Sequence, residues 1–172
     1  MDRERIIGLL TELGRRLAER GVTGELYVVG GAAIALAFDE RRTTRDIDGV
    51  FEPKAVIYAE ADAMAEDEGL PAGWLNDAVK GFLSGPDDAA VAVLDVPGLR
   101  ASAASARVLL AMKVLAHRTG EDDGDLRLLA RHLGLTSSGE VLDLAESVYG
   151  GRLEPAAQFF VEEAMTGASD PE

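Results

Sequence analysis

Two short stretches stand out for what their side chains could do. Asp46-Ile-Asp48 sets two carboxylates two residues apart. In an extended chain, side chains at i and i+2 project from one face, with Cα atoms about 6.6 Å apart. Such a pair can share one divalent cation, or hold two roughly 3.5–4 Å apart that stabilise both oxygens of a phosphoryl displacement. Mg2+, hard and oxygen-seeking, is the natural occupant. The second stretch is Gly30-Gly31, lying between the β-forming run Glu25-Leu-Tyr-Val-Val29 and the apolar run Ala32–Phe38. Residues without side chains let backbone N–H groups approach a ligand closely. The helix start behind them carries partial positive charge and unsatisfied donors. Together they suit an anionic group such as a triphosphate.

Taken singly, each stretch also has an ordinary reading: a double glycine as a packing device, Asp-x-Asp-Gly as the mouth of a turn. A calcium loop counted from Asp46 fails, because its fifth and twelfth positions are Val50 and Ile57. What points to chemistry is the order: strand, Gly-Gly, helix, polar loop, then a strand bearing the acids. Basic residues flank this order. Arg41, Arg42 and Arg45 precede Asp46, and Arg100, Arg107, Lys113 and Arg118 occupy 100–118 with no acid among them. These are the places where a polyphosphate would sit, if they are not simply solvated faces of an acidic protein.

The elements that must position these groups follow from periodicity. Ile6, Leu9, Leu10, Leu13 and Leu17 recur at helical spacing and predict a helix over 2–20. Strands are expected at 25–29, 46–51 and 90–96, and helices at 32–38 and 54–68, with Pro53 at the start of the latter. The Gly- and Pro-rich segment 69–90 reads as a loop with short pieces of structure. From 102 onward the pattern predicts helices at 102–117, 123–134, 137–149 and 154–166, the third opened by a Ser137/Glu140 capping box. The expected fold class is α+β: a small mixed sheet with helices packed on it over 1–100, a helical region over 101–167, and a flexible tail at 168–172.

Composition bounds the rest. The chain has 172 residues, which is one ordinary domain or a domain with a helical extension. It has no cysteine, which excludes disulfides, thiolate metal sites and cysteine nucleophiles. No apolar run reaches the roughly 18 residues of a membrane span. The N-terminus lacks the features of a secretory signal, so a cytoplasmic location is expected, with no membrane partner. The net charge of −14 is uneven: residues 1–50 carry −1 and residues 51–172 carry −13. Bulk nucleic-acid affinity rests on phosphate neutralisation, so DNA is not an expected partner and a large RNA is disfavoured unless a basic groove overrides the net charge.

Gly30-Gly31 followed by Asp46-Ile-Asp48 resembles the signature of the polymerase-beta-type nucleotidyltransferase superfamily. More narrowly, it resembles the minimal bacterial members related to AbiEii-like toxins of toxin–antitoxin and abortive-infection systems. The stretch Leu109–Arg118, followed by Asp122, Asp123 and Asp125-Leu-Arg-Leu-Leu129, is similar to the helix pair that follows the sheet in those proteins, so the resemblance spans about 28–134. It implies transfer of a nucleoside monophosphate from an NTP to an RNA (such as tRNA) or protein acceptor, with release of pyrophosphate. A cognate antitoxin or toxin is an implied partner. Gly30 and Gly31 would cradle the triphosphate beside Arg45, Asp46 and Asp48 would hold Mg2+, and Lys113 would be a phosphate-facing cation. Active members need a third carboxylate on a neighbouring strand. Asp95 is the candidate, sharing a face with Val91 and Val93 by alternation, though beside Pro97-Gly98 an aspartate is also an ordinary strand terminator. Without a third acid, the chain would be a degenerate member that binds a partner, in the manner of an antitoxin. This sequence departs from the family pattern at Gly31, where many members carry serine, and in the fourteen residues between Gly31 and Asp46, a long spacing.

Other residues read as structural. His117 and His132 lie near helix ends with no further ligand pattern. Arg127 and His132 have the spacing of helical HEPN ribonucleases, but that fold has no place for strands. Trp74 reads as a core plug rather than a base-stacking platform. Asp122, Asp123 and Asp125 read as a turn and helix cap.

Overall fold

The computed structural model describes residues 1–118 and 120–167. The tail expected at 168–172 lies outside the described residues. The fold is α+β, and the chain divides into two compact units, residues 1–83 with 88–104, and residues 84–87 with 105 onward.

The first unit opens with α1 (Arg3–Glu19), whose start is capped by the Asp2 carboxylate accepting from the Arg5 N–H at 2.8 Å. Ile6, Leu9, Leu10, Leu13 and Leu17 form its buried stripe, as the helical spacing requires. Then follow β1 (Gly24–Val29), α2 (Gly30–Ala37), β2 (Ile47–Glu52), α3 (Lys54–Glu68), β3 (Leu75–Asn76), β4 (Val91–Val96) and β5 (Leu99–Ala103). The strands make one mixed sheet in the order β3-β2-β1-β5-β4. β1 runs antiparallel to β2 and parallel to β5, β2 runs parallel to β3, and β4 and β5 form a hairpin.

The alternation of each strand decides its faces. Leu26 and Val28 on β1, Ile47 and Phe51 on β2, and Leu99, Ala101 and Ala103 on β5 are buried. The intervening residues Glu25, Tyr27, Asp48, Val50, Glu52, Arg100 and Ser102 are half-buried or exposed. The sheet thus has one core face and one open face, as antiparallel-containing sheets commonly do.

Two strands depart from the sequence expectation. β5 falls partly within the helix expected from 102. Its five residues, Leu-Arg-Ala-Ser-Ala, alternate between buried and open positions, but alanine and serine carry little β signal, so the period of two was hidden. Pro97-Gly98 is accordingly a hairpin turn and not the end of the sheet. β3 is two residues long, too short to register as a pattern. It is nonetheless well anchored. Trp74 is buried as a core plug, its indole N–H donating to the Ala61 carbonyl of α3 at 2.9 Å, and its own carbonyl accepts from the Ile47 N–H at 2.7 Å.

The second unit contains α4 (Ala106–Ala116), α5 (Asp123–His132), α6 (Ser138–Tyr149) and α7 (Pro155–Thr166). Leu109, Leu110, Val114, Leu126, Leu129, Val141, Phe160 and Val161 form its core. α6 begins with the expected capping box: Ser137 accepts from the Glu140 N–H, and the Glu140 carboxylate accepts from the Ser137 N–H at 3.0 Å. Arg127 donates to the Ala164 carbonyl at 3.1 Å, at the end of α7, which is a structural task. The five strands of the first unit are incompatible with an all-helical ribonuclease fold.

Candidate functional site

β1 delivers the chain to the double glycine, and α2 begins there with no intervening loop. Gly30 has φ +65°, a left-handed conformation that glycine adopts without the steric cost other residues meet. This sharp turn lets the helix start directly from the strand end. In the β1–β2 ladder, Val29 is paired with Asp48, so Asp48 stands level with the turn. A β-carbon built at Gly30 would lie 3.4 Å from Asp48 Oδ2, so the carboxylate rests against the bare face of the glycine. Asp48 and Gly30 are therefore brought together, and both are half-buried.

Asp46 sits one residue ahead of β2 and is half-buried. Its place is set by Thr44, whose hydroxyl donates to the Asp46 carbonyl at 3.1 Å. The same Thr44 side chain packs against Gly31, where a β-carbon would meet its Oγ1 at 3.0 Å and its Cβ at 3.3 Å. Thr44 and Met1 also exchange backbone hydrogen bonds, Thr44 N–H to the Met1 carbonyl at 2.9 Å and Met1 N–H to the Thr44 carbonyl. The loop between α2 and β2 is thus pinned onto the double glycine. Arg45 is exposed on it, and the Arg42 guanidinium, which donates to the Thr43 carbonyl at 2.6 Å, reaches within 3.8 Å of the Gly31 β-position. Gly49 follows Asp48 for a separate reason: a β-carbon there would stand 2.5 Å from the Tyr27 carbonyl oxygen, so the close approach of β1 and β2 excludes any side chain.

Two of the expected residues have surroundings other than those expected. Asp95 is paired with Arg100, which is paired with Glu25, at the opposite end of the sheet from Val29 and Asp48. Four residues along the strand and three strands across, at about 3.3 Å and 4.8 Å per step, separate it from Asp48 by roughly 20 Å. It cannot supply a third carboxylate to the pair. Nor does it share a face with Val91. A bulge between Ala92 and Leu94 breaks the alternation, so Val91 pairs with Ala103 on the core face while Asp95 joins Arg100 on the open one.

Lys113 belongs to the second unit and is only 7 % exposed. Its ammonium donates to Asp122 Oδ1 at 2.5 Å and pairs with Asp125 Oδ2 at 2.8 Å, and Arg118 Nε adds 3.2 Å to Asp122 Oδ2. Its charge is met inside the unit by two buried carboxylates, which is not the setting of a phosphate-facing cation. Asp122 occupies the N-cap position of α5, but its side chain makes no cap hydrogen bond and serves Lys113 instead.

One residue of the site was missed. β3 pairs with β2 so that Asn76 stands opposite Asp48 and Leu75 opposite Ile47. Leu75 and Ile47 are both buried on the core face, so Asn76 shares the open face with Asp48. No residue pattern could signal this, because the strand is two residues long and its register is a tertiary fact. The open face continues past Asp48 into a shallow depression of about 260 Å3 floored by Tyr27, Val50 and Ser102, with Glu25 and Glu52 at its rim.

The pair Asp46 and Asp48 fits Mg2+ by donor chemistry, since this ion is commonly held by one or two carboxylates plus substrate phosphates. Among the described residues, no group of three or more acidic or histidine side chains is poised to hold a metal ion by protein ligands alone. Nor, among them, is there a helix long and apolar enough to cross a membrane. No family model matches the sequence, and no curated protein or solved structure matches it.

Proposed function

We propose that this chain is a nucleotidyltransferase-like protein that binds an NTP with Mg2+ at the Gly30–Asp48 corner and moves a nucleoside monophosphate to an RNA or protein acceptor. The observation that carries the reading is the seating of the Asp48 carboxylate against Gly30, at the point where a strand turns directly into a helix. Asp46 and Asp48 would hold the cation, which when bound supplies charge neutralisation to the triphosphate. The exposed Arg45 and the N–H groups at the start of α2 offer donors to its oxygens. In the transfer, an acceptor hydroxyl oxygen bonds to the α-phosphorus, the bond from that phosphorus to pyrophosphate breaks, and the hydroxyl proton passes to solvent or a base. A role in a toxin–antitoxin pair is part of this reading.

A second reading has its own support. Asp95 stands at the far end of the sheet, and no group of three or more acidic or histidine side chains that could hold a metal ion occurs among the described residues. The chain would then be a degenerate member of that class, keeping the corner as a binding site and acting by holding a partner, as an antitoxin does.

Incubating the protein with radiolabelled NTPs, Mg2+ and cell extract separates the two. Label transferred to an extract species by the wild type, and lost in Asp46→Ala/Asp48→Ala with folding intact, supports the enzyme. Nucleotide binding without label transfer supports the second reading. Undiminished transfer by the double variant would refute both.

A further inference from the structure

The residue that the sheet register adds to the corner, Asn76, has its amide oriented by its neighbours. Its Oδ1 accepts from the Ala78 N–H at 3.1 Å, an Asx turn that fixes which end of the amide is oxygen. Its Nδ2 makes one long contact, 3.4 Å, to the Gly73 carbonyl. A side-chain amide has two N–H donors, so one of them has no acceptor among the described residues. The residues on either side are held hard. Leu75 is buried, and Asp77 is clamped to α3 by the Tyr58 hydroxyl at 2.6 Å and by Lys54 Nζ at 2.5 Å, while its own N–H donates back to the Tyr58 oxygen at 3.1 Å. A short strand with this much anchoring behind a half-buried amide is how a preorganised ligand contact is built.

We propose that Asn76 is a further ligand-binding residue of the corner, its Nδ2 donating to a phosphate oxygen of the nucleotide that Asp46 and Asp48 hold through a divalent cation. This rests on the proposed nucleotide-binding role of the corner. Neighbouring strands lie about 4.8 Å apart, so a phosphate bridged to Asp48 by a cation falls within the reach of an amide on the next strand. The amide brings a donor without charge. It contacts the anion and leaves the cation to the two aspartates, so the residue divides nucleotide affinity from metal affinity.

Asn76→Asp isolates this donor, because a carboxylate still accepts from the Ala78 N–H and keeps the turn. Binding is measured by calorimetry for ATP, GTP, CTP and UTP with Mg2+, and separately for Mn2+ alone, on the full chain, with thermal unfolding as the folding control. The expected result is a loss of about tenfold or more in affinity for the nucleotide the wild type binds, with Mn2+ bound as well as before or tighter. Asn76→Ser, which keeps a short acceptor for the turn and has no amide donor, shows the same loss and serves if the aspartate variant does not fold. Wild-type nucleotide affinity in the Asp and Ser variants, with loss in Asp48→Ala, overturns the role of Asn76 and leaves the corner standing. Failure of the wild type to bind any of the four nucleotides overturns the corner and Asn76 together.

Discussion

The carboxylate of Asp48 faces the side of Gly30 that a side chain would occupy, with Oδ2 3.4 Å from where a β-carbon would be. A side chain at Gly30 has room, yet it must take a left-handed φ, which costs an L-residue roughly 1–2 kcal/mol. Gly30→Ala is expected to lower stability by about that amount, measured by chemical denaturation. It is also expected to weaken nucleotide binding beyond what the stability change explains, since the turn carrying the α2 donors must shift beside Asp48.

Gly49→Ala tests a different constraint. Its new methyl would lie 2.5 Å from the Tyr27 carbonyl, a backbone atom that cannot step aside. The β1–β2 pairing must open locally, at a cost of roughly 1–3 kcal/mol typical of overpacking. The midpoint of urea unfolding should fall accordingly, and an unchanged midpoint would show that the two strands are not so close.

Asp95→Asn should leave nucleotide binding and any transfer activity unchanged. The ladder puts Asp95 beside Arg100, at the other end of the sheet from Asp48. A large loss of activity in this variant would mean that Asp95 lies nearer the corner than the β4–β5 pairing allows.

Lys113→Met should be strongly destabilising, by about 3–5 kcal/mol, because it leaves the buried carboxylates of Asp122 and Asp125 without the cation between them. Adding Asp122→Asn and Asp125→Asn to it should recover part of the loss, because the buried negative charges that Lys113 met are removed. Denaturation curves of the single and triple variants decide this. A mild single variant would mean that the ammonium is not the keystone of the helical unit.

The capping box predicts a pH dependence. The N–H groups of Thr136 and Ser137 hold the Glu140 carboxyl below its ordinary value of 4.5, with their hydroxyls adding to the effect. A depressed carboxyl contributes stability that is fully present above the unfolded value and lost as pH falls through the folded one. Melting temperatures of the wild type and Glu140→Gln should therefore differ most above about pH 4.5 and converge as the solution is acidified further. Parallel curves down to low pH would deny Glu140 this role.

Much of the frame can be read from residues alone. The α1 stripe, the strand before Gly30, the strand that bears Asp48 and the Ser137 cap each carry a local pattern that the fold obeys, while Asp46 falls just ahead of its strand. What stays hidden is hidden for physical reasons. β5 is made largely of alanine and serine, which are as much at home in a helix, and β3 is too short for any period. The bulge at Ala92–Leu94 inverts the faces of β4 without altering its composition, so Asp95 looks aligned with Val91 when it is not. The burial of Lys113 depends on where Asp122 and Asp125 fold back, which no spacing announces. Asn76 becomes a neighbour of Asp48 only through a parallel pairing between segments that lie far apart in the chain.

The reciprocal backbone pair between Met1 and Thr44 has a practical bearing. It hangs the very beginning of the chain on the loop that presents Arg45 and Asp46. An affinity handle or fusion partner joined ahead of Met1 would tug on that loop and crowd the acidic corner.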